Sequence, residues 1–172
     1  MMVRPVARDP PANIPMKTTL LLLLLPLSVA AAEAGKLTVT TPTRPDALGR
    51  VRSEVRDPHG RKVGVVETRA QPDALGRVKS VILDASGKRI GTAETTAEPD
   101  ALGRVKTIFR DTSGRTTGTG VANGQPDALG RTTSVLRDTQ GNHTGTAVSR
   151  PPDALGRVKT EVTGKVPLAG RD

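Results

Sequence analysis

Two sets of residues in this chain recur at spacings that could do chemistry. In the first, an aspartate stands four residues ahead of an arginine: Asp46–Arg50, Asp73–Arg77, Asp100–Arg104, Asp127–Arg131 and Asp153–Arg157. The second is a row of cations, Arg52, Lys79, Lys106 and Lys159, with Arg56, Arg110 and Arg137 further along equivalent segments. In the first set a glycine follows each aspartate by three positions, at Gly49, Gly76, Gly103, Gly130 and Gly156. An aspartate side chain can bond backbone N–H groups two or three residues on. The glycine supplies the positive φ that completes a type I turn with a bulge. These five pairs therefore read as structural turns whose charge is locally balanced. The second row is opposed only by Glu54 and Glu161 on its strand face. In a chain of net charge +9 it reads as a stripe for an anionic ligand, such as an envelope polymer or an acidic protein.

Other chemistry has little to work with. His59 and His143 sit in or beside turns far apart in the chain, and there is no cysteine. Each turn carries one aspartate, without the alternating carboxylates of a calcium loop. Phe109 is the only aromatic residue, so stacking surfaces for sugars or single-stranded nucleic acid are poorly supported. The expectation is a non-enzymatic protein with no catalytic residue, metal or cofactor.

The elements that hold these residues follow from an internal repeat. The hexapeptide Pro-Asp-Ala-Leu-Gly-Arg begins at Pro45, Pro72, Pro99, Pro126 and Pro152, at spacings of 27, 27, 27 and 26 residues. Each full unit carries a second Asp-x-x-Gly, beginning at Asp57, Asp84, Asp111 and Asp138. Between turns the pattern has period two: Val51, Ser53, Val55, then Val78, Ser80, Ile82, and so on to Val158, Thr160, Val162. Recurrent glycine and proline exclude helices. In the second strand of each unit, Val63 and Val65 share one face, and Gly64 and Val66 lie on the other, which reads as a close-contact surface. The expected fold is all-β, an antiparallel β-hairpin strip or meander of about ten strands, with its curling left open. The alternative is a largely disordered repeat tract, because apolar residues are sparse.

Two further readings concern the ends of the strip. The array opens with a half-unit, Gly35 to Val39, and closes with another, Val158 to Val162. Mid-strand positions of the first strands are Glu54, Val81, Ile108, Val135 and Glu161, charged only in the terminal copies, as polar caps would be. Leu48, Leu75, Leu102, Leu129 and Leu155 occupy the first turns, where His59, Ser86, Ser113 and Gln140 occupy the second. The leucines are expected to fold back over one end of the sheet.

The stretch Asp73–Glu94, DALGRVKSVILDASGKRIGTAE, resembles RHS/YD repeats, which alternate such turns with short strands. The resemblance covers most of residues 36–162 and implies a β-hairpin strip in an exported bacterial protein. The family's signature tyrosine is replaced here by Pro45, Pro72, Pro99, Pro126 and Pro152, and the resemblance does not extend to toxin delivery.

Upstream, Lys17 precedes the run Leu20–Leu25 and the small residues Ala30-Ala31-Ala32, the layout of a secretory signal beginning at Met16. The expected organisation is an extension and signal over 1–34, a repeat domain over 35–166 and a tail over 167–172. The mature chain is expected to start at Glu33 or Gly35, to keep no stable membrane anchor, and to reside in the periplasm or outside the cell. The leading functional reading is a structural or adhesive module of the cell envelope. The alternative is a basic binding module for an anionic envelope polymer, extracellular DNA or an acidic protein.

Overall fold

The computed structural model describes residues 35–166; the segments 1–34, where a secretory signal is expected, and 167–172 lie outside them. Ten strands follow one another, with no helix among the described residues. They are β1 (Leu37–Pro42), β2 (Arg50–Arg56), β3 (Lys62–Arg69), β4 (Arg77–Asp84) and β5 (Arg89–Thr96). The second half comprises β6 (Arg104–Arg110), β7 (Thr116–Asn123), β8 (Thr132–Asp138), β9 (His143–Ser149) and β10 (Arg157–Gly164). Each pairs antiparallel with its sequence neighbours, and β10 pairs with β1, so the meander is a closed barrel.

The turns are built as their sequence demands. In the turn at Asp100, the Gly103 N–H donates to the Asp100 carbonyl and the Asp100 N–H donates to that of Arg104, both at 2.8 Å. Asp100 Oδ1 accepts the N–H groups of Leu102 and Arg104 at 2.9 Å each, and Gly103 has φ 70°. The turn at Asp84 repeats this with Ser86 and Lys88, and Gly87 has φ 87°. One side chain thus satisfies two N–H groups that a tight reversal would leave unpaired.

Closure reassigns the half-units. Val158, Thr160 and Val162 of β10 face Thr41, Val39 and Leu37 of β1. Inside a complete unit, Val51, Ser53 and Val55 face Thr68, Val66 and Gly64 in the same register. The two termini therefore supply the two strands of one fifth unit. The same tie bond completes it: Thr43 N–H donates to the Gly156 carbonyl at 2.8 Å, as Ala70 does to Gly49 at 2.9 Å and Ala97 to Gly76 at 2.8 Å. The reading of Glu54 and Glu161 as outer caps is corrected. Both flank β1, opposite Thr40 and Thr38 respectively, because the ends of the array meet and no outer edge is left to protect. Their charge is met by Arg56 on Glu54 at 3.0 Å, and by Lys36 at 2.9 Å and Arg150 at 3.2 Å on Glu161.

The interior explains the glycine face. Val55, Ile82, Phe109 and Leu136 lie opposite Gly64, Gly91, Gly118 and Gly145 across the ladder, and at Gly145 the backbone of Thr163–Lys165 comes too close for a side chain. The expected alternation fails at one place. The register slips between Val55 and Arg56, from Gly64 to Lys62, and Val63 becomes a bulge residue. Val63 turns into the core beside Gly64 instead of sharing a face with Val65, and Ile90 packs there from the matching bulge in β5.

Above that layer runs a belt of buried hydroxyl pairs, one where each unit meets the next. Thr41 bonds Ser53 at 2.9 Å, and Thr68–Ser80, Thr95–Thr107 and Ser149–Thr160 are all at 2.8 Å. The fifth pair is broken. Ala122 faces Ser134, whose buried Oγ has no partner. Restoring a hydroxyl there should satisfy it, so Ala122→Ser is expected to stabilise by about 1 kcal/mol, and Ser134→Ala to be close to neutral. Urea midpoints of the two variants check this.

Closure has its own test. A chain from Gly35 to Asp172 is expected to give β-type circular dichroism and one cooperative melt. A circular permutant that joins the ends through an Asp-Ser-Gly-type turn and opens at Gly87–Lys88 should fold equally well. Deleting β1 exposes the edges of β2 and β10 and should yield aggregates by size exclusion.

Candidate functional site

The meander sorts its connections by end. The hexapeptide turns join β1–β2, β3–β4, β5–β6, β7–β8 and β9–β10, and the second turns join the alternate pairs. All five hexapeptides therefore crown one end of the barrel. β1 begins, and β10 finishes, at the opposite end, where Leu37 faces Val162.

At the crown the structure overturns the expectation for the leucines. Leu48, Leu75, Leu102, Leu129 and Leu155 do not cover the sheet; they are 67–73% exposed. The reason is that the end is already closed beneath them. Val51, Val78 and Thr132 are buried without their help, Val105 and Val158 are half-buried at the equivalent positions, and the hydroxyl belt lies just below. The bonds to Asp Oδ1 hold each leucine's own N–H inward, and its side chain stands in solvent. Leu102, Gly103, Asn123, Pro126 and Arg131 also line an open groove of ≈ 650 Å³ between the third and fourth crown turns.

Each crown turn is electrically closed on itself. Asp46–Arg50, Asp73–Arg77, Asp100–Arg104, Asp127–Arg131 and Asp153–Arg157 are ion pairs at 3.3, 3.1, 2.8, 2.8 and 3.0 Å. Backbone bonding by Arg50 holds Asp46 below the ordinary carboxylate range, and Asp127 and Asp153 are lowered in the same way by Arg131 and Arg157. At Asp73 desolvation pushes upward, but bonds from the Arg77 backbone and side chain, Leu75 and Lys79 outweigh it and hold the group at about 2. Exposed pairs of this kind add little stability. Their effect is a turn tip that carries almost no net charge.

The cation row is placed differently from a flat strip. Arg52, Lys79, Lys106 and Lys159 occupy equivalent positions on β2, β4, β6 and β10, and closure spreads them around the outside instead of aligning them on one face. Arg52 meets Glu67 at 3.5 Å and Lys79 meets Asp73 at 3.3 Å. Arg56, Arg110 and Arg137 lie toward the other end. There they donate to the carbonyls of Gly60, Gly114 and Gly141 at 2.6, 3.2 and 2.7 Å, bracing second turns. Among the described residues, Arg44, Arg69, Lys106 and Lys159 of the crown half belong to no ion pair, and neither do Lys62, Lys88, Arg89, Arg137 and Lys165 toward the other end. His59 and His143 stand at the second-turn end on separate hairpins, and no group of three or more His, Cys, Asp or Glu among the described residues could hold a metal. The outward strand positions are mixed: Arg52, Glu67, Lys79, Glu94 and Lys106 share the outer surface with Val81, Ile108, Val121, Val135 and Val148.

No protein-family model, curated protein or solved structure matches this chain.

The lowered aspartates link folding to pH. A carboxylate whose folded value lies below its unfolded value contributes stability above the unfolded value and loses it as pH falls through the folded one. With 3.8 as the ordinary value and about 2 for Asp73, the contribution of these carboxylates should be present above pH 4 and be lost between there and about pH 2, lowering the melting temperature over that range. Asp73→Asn should flatten part of that dependence. Circular dichroism across an acid titration reads both, and unfolding that begins near neutral pH would contradict the turn electrostatics.

Proposed function

We propose that this protein is an exported, non-enzymatic adhesive module of the cell envelope that attaches through its crown. The observation that carries the reading is the set of five leucines, 67–73% exposed on turns that do not need them. The second turns supply the comparison. Asp84-Ala85-Ser86-Gly87 and Asp57-Pro58-His59-Gly60 make the same bonds and the same positive φ with a polar residue at the leucine position. Five apolar tips held at equivalent positions by a rigid closed sheet form a multivalent contact surface. Export rests on the leucine-rich segment that begins at Met16.

The basic-module reading draws support from the unpaired cations Arg44, Arg69, Lys106 and Lys159 of the crown half, and the two are separable. Retention of the Gly35–Asp172 chain on isolated cell envelopes is compared with two variants. One carries Leu→Ser at Leu48, Leu75, Leu102, Leu129 and Leu155; the other carries Lys79→Glu and Lys106→Glu. Crown attachment predicts that the serine variant is lost from the envelopes with its melting temperature unchanged, while the charge variant stays bound. Release of the charge variant alone, together with steep loss of the parent chain at moderate salt, would favour the basic module.

A further inference from the structure

The partner's chemistry can be read from how the leucines are spaced and what surrounds them. They occupy one position in five equivalent units of a closed barrel, so they stand at one height around its axis. Consecutive tips are two strands apart, roughly 10 Å along the sheet. Between them lie the Asp–Arg pairs of the turns. This is a ring of separate apolar points, not a continuous apolar patch. A folded protein partner would need five matched pockets at that spacing. A fluid bilayer accepts each point independently.

Resting on the attachment role proposed above, we infer that the crown docks on an anionic lipid bilayer, with the five leucines entering the boundary between headgroups and acyl chains. The charge distribution fits. Each tip is neutralised by its own Asp–Arg pair, so it brings almost no net charge into the interface. Arg44, Arg69, Lys106 and Lys159, which form no ion pair among the described residues, lie behind the tips at headgroup level and outnumber Glu98, the one crown-half carboxylate outside an ion pair. A second copy presents the same positive surplus at its own crown and is repelled, whereas anionic headgroups are attracted. The described chain ends, Gly35 and Val166, leave from the opposite end of the barrel. Internal repetition points the same way. Duplication alone would have left both turns of the unit uniform, yet the first is identical in all five copies and the second varies as DPHG, DASG, DTSG and DTQG.

The test uses the Gly35–Asp172 chain, because the ladders of residues 37–164 close on themselves and leave no strand waiting for another segment. Co-sedimentation is measured with phosphatidylcholine vesicles, with and without phosphatidylglycerol. The parent chain is expected to partition onto the anionic vesicles. The variant with all five leucines changed to serine should lose at least about tenfold in partition, since interfacial binding scales with buried apolar area. Its melting temperature should not move. An Arg69→Glu, Lys106→Glu variant should weaken on anionic vesicles only. A single Leu102→Trp reporter should shift to the blue with vesicles, and Ser86→Trp, on a second turn, should not. Equal binding by the parent and serine variants would overturn the inference. So would equal shifts of the two tryptophans, failure of the parent chain to bind any vesicle, or a leucine-dependent dimer in the absence of lipid. If envelope retention depends on the leucines while vesicles are ignored, the attachment role stands and the lipid partner falls.

Discussion

The ladder between β1 and β10 is the constraint on which the rest of the molecule depends. Each hairpin unit turns one face to the interior, and an open strip would leave that face half covered and two edges unpaired. Joining the first and last strands removes both defects. It uses the register of every internal unit, Thr160 facing Val39 as Ser53 faces Val66. The chain can thus begin and end in the middle of a unit without a weak point in the sheet.

Once the sheet is closed, its small interior must be filled by few atoms. Large side chains at one position of the first strand are matched by glycine across the ladder, and a bulge in the second strand adds Val63 or Ile90 to the same layer. The next layer is narrower in chemistry: threonine and serine hydroxyls bond each other in pairs, which lets polar atoms be buried with little loss. With one aromatic residue and no disulfide, backbone ladders, turn aspartates and this belt replace the bulky core of an ordinary domain.

The two ends then differ in the one respect that turn geometry leaves free. Both sets of turns need an aspartate to hold backbone N–H groups and a glycine at positive φ, as Gly103 and Gly114 show at 70° and 82°. Neither needs a particular residue at the tip. The end from which the described chain leaves carries polar tips, and the far end carries leucines. The asymmetry lies in surface chemistry alone, superposed on a scaffold that is the same on both sides.

Much of this was legible beforehand, and the boundary between what was and was not has a physical cause. Local rules belong to the chain: Asp100 and Gly103 specify their turn by bonds within five residues, and Val78, Ser80 and Ile82 specify their face by period two. Strand number, antiparallel order and the polar–apolar alternation therefore followed from the sequence alone. The long-range facts did not. That Val158–Val162 would meet Leu37–Thr41, some 120 residues away, depends on the accumulated curvature of ten strands, which no window of sequence contains. Closure in turn decided that Glu54 and Glu161 flank one strand, that Arg52, Lys79, Lys106 and Lys159 form a girdle instead of a stripe, and that the crown end was shut before the leucines were placed. The leucines stand exposed because tertiary structure had left them nothing to cover.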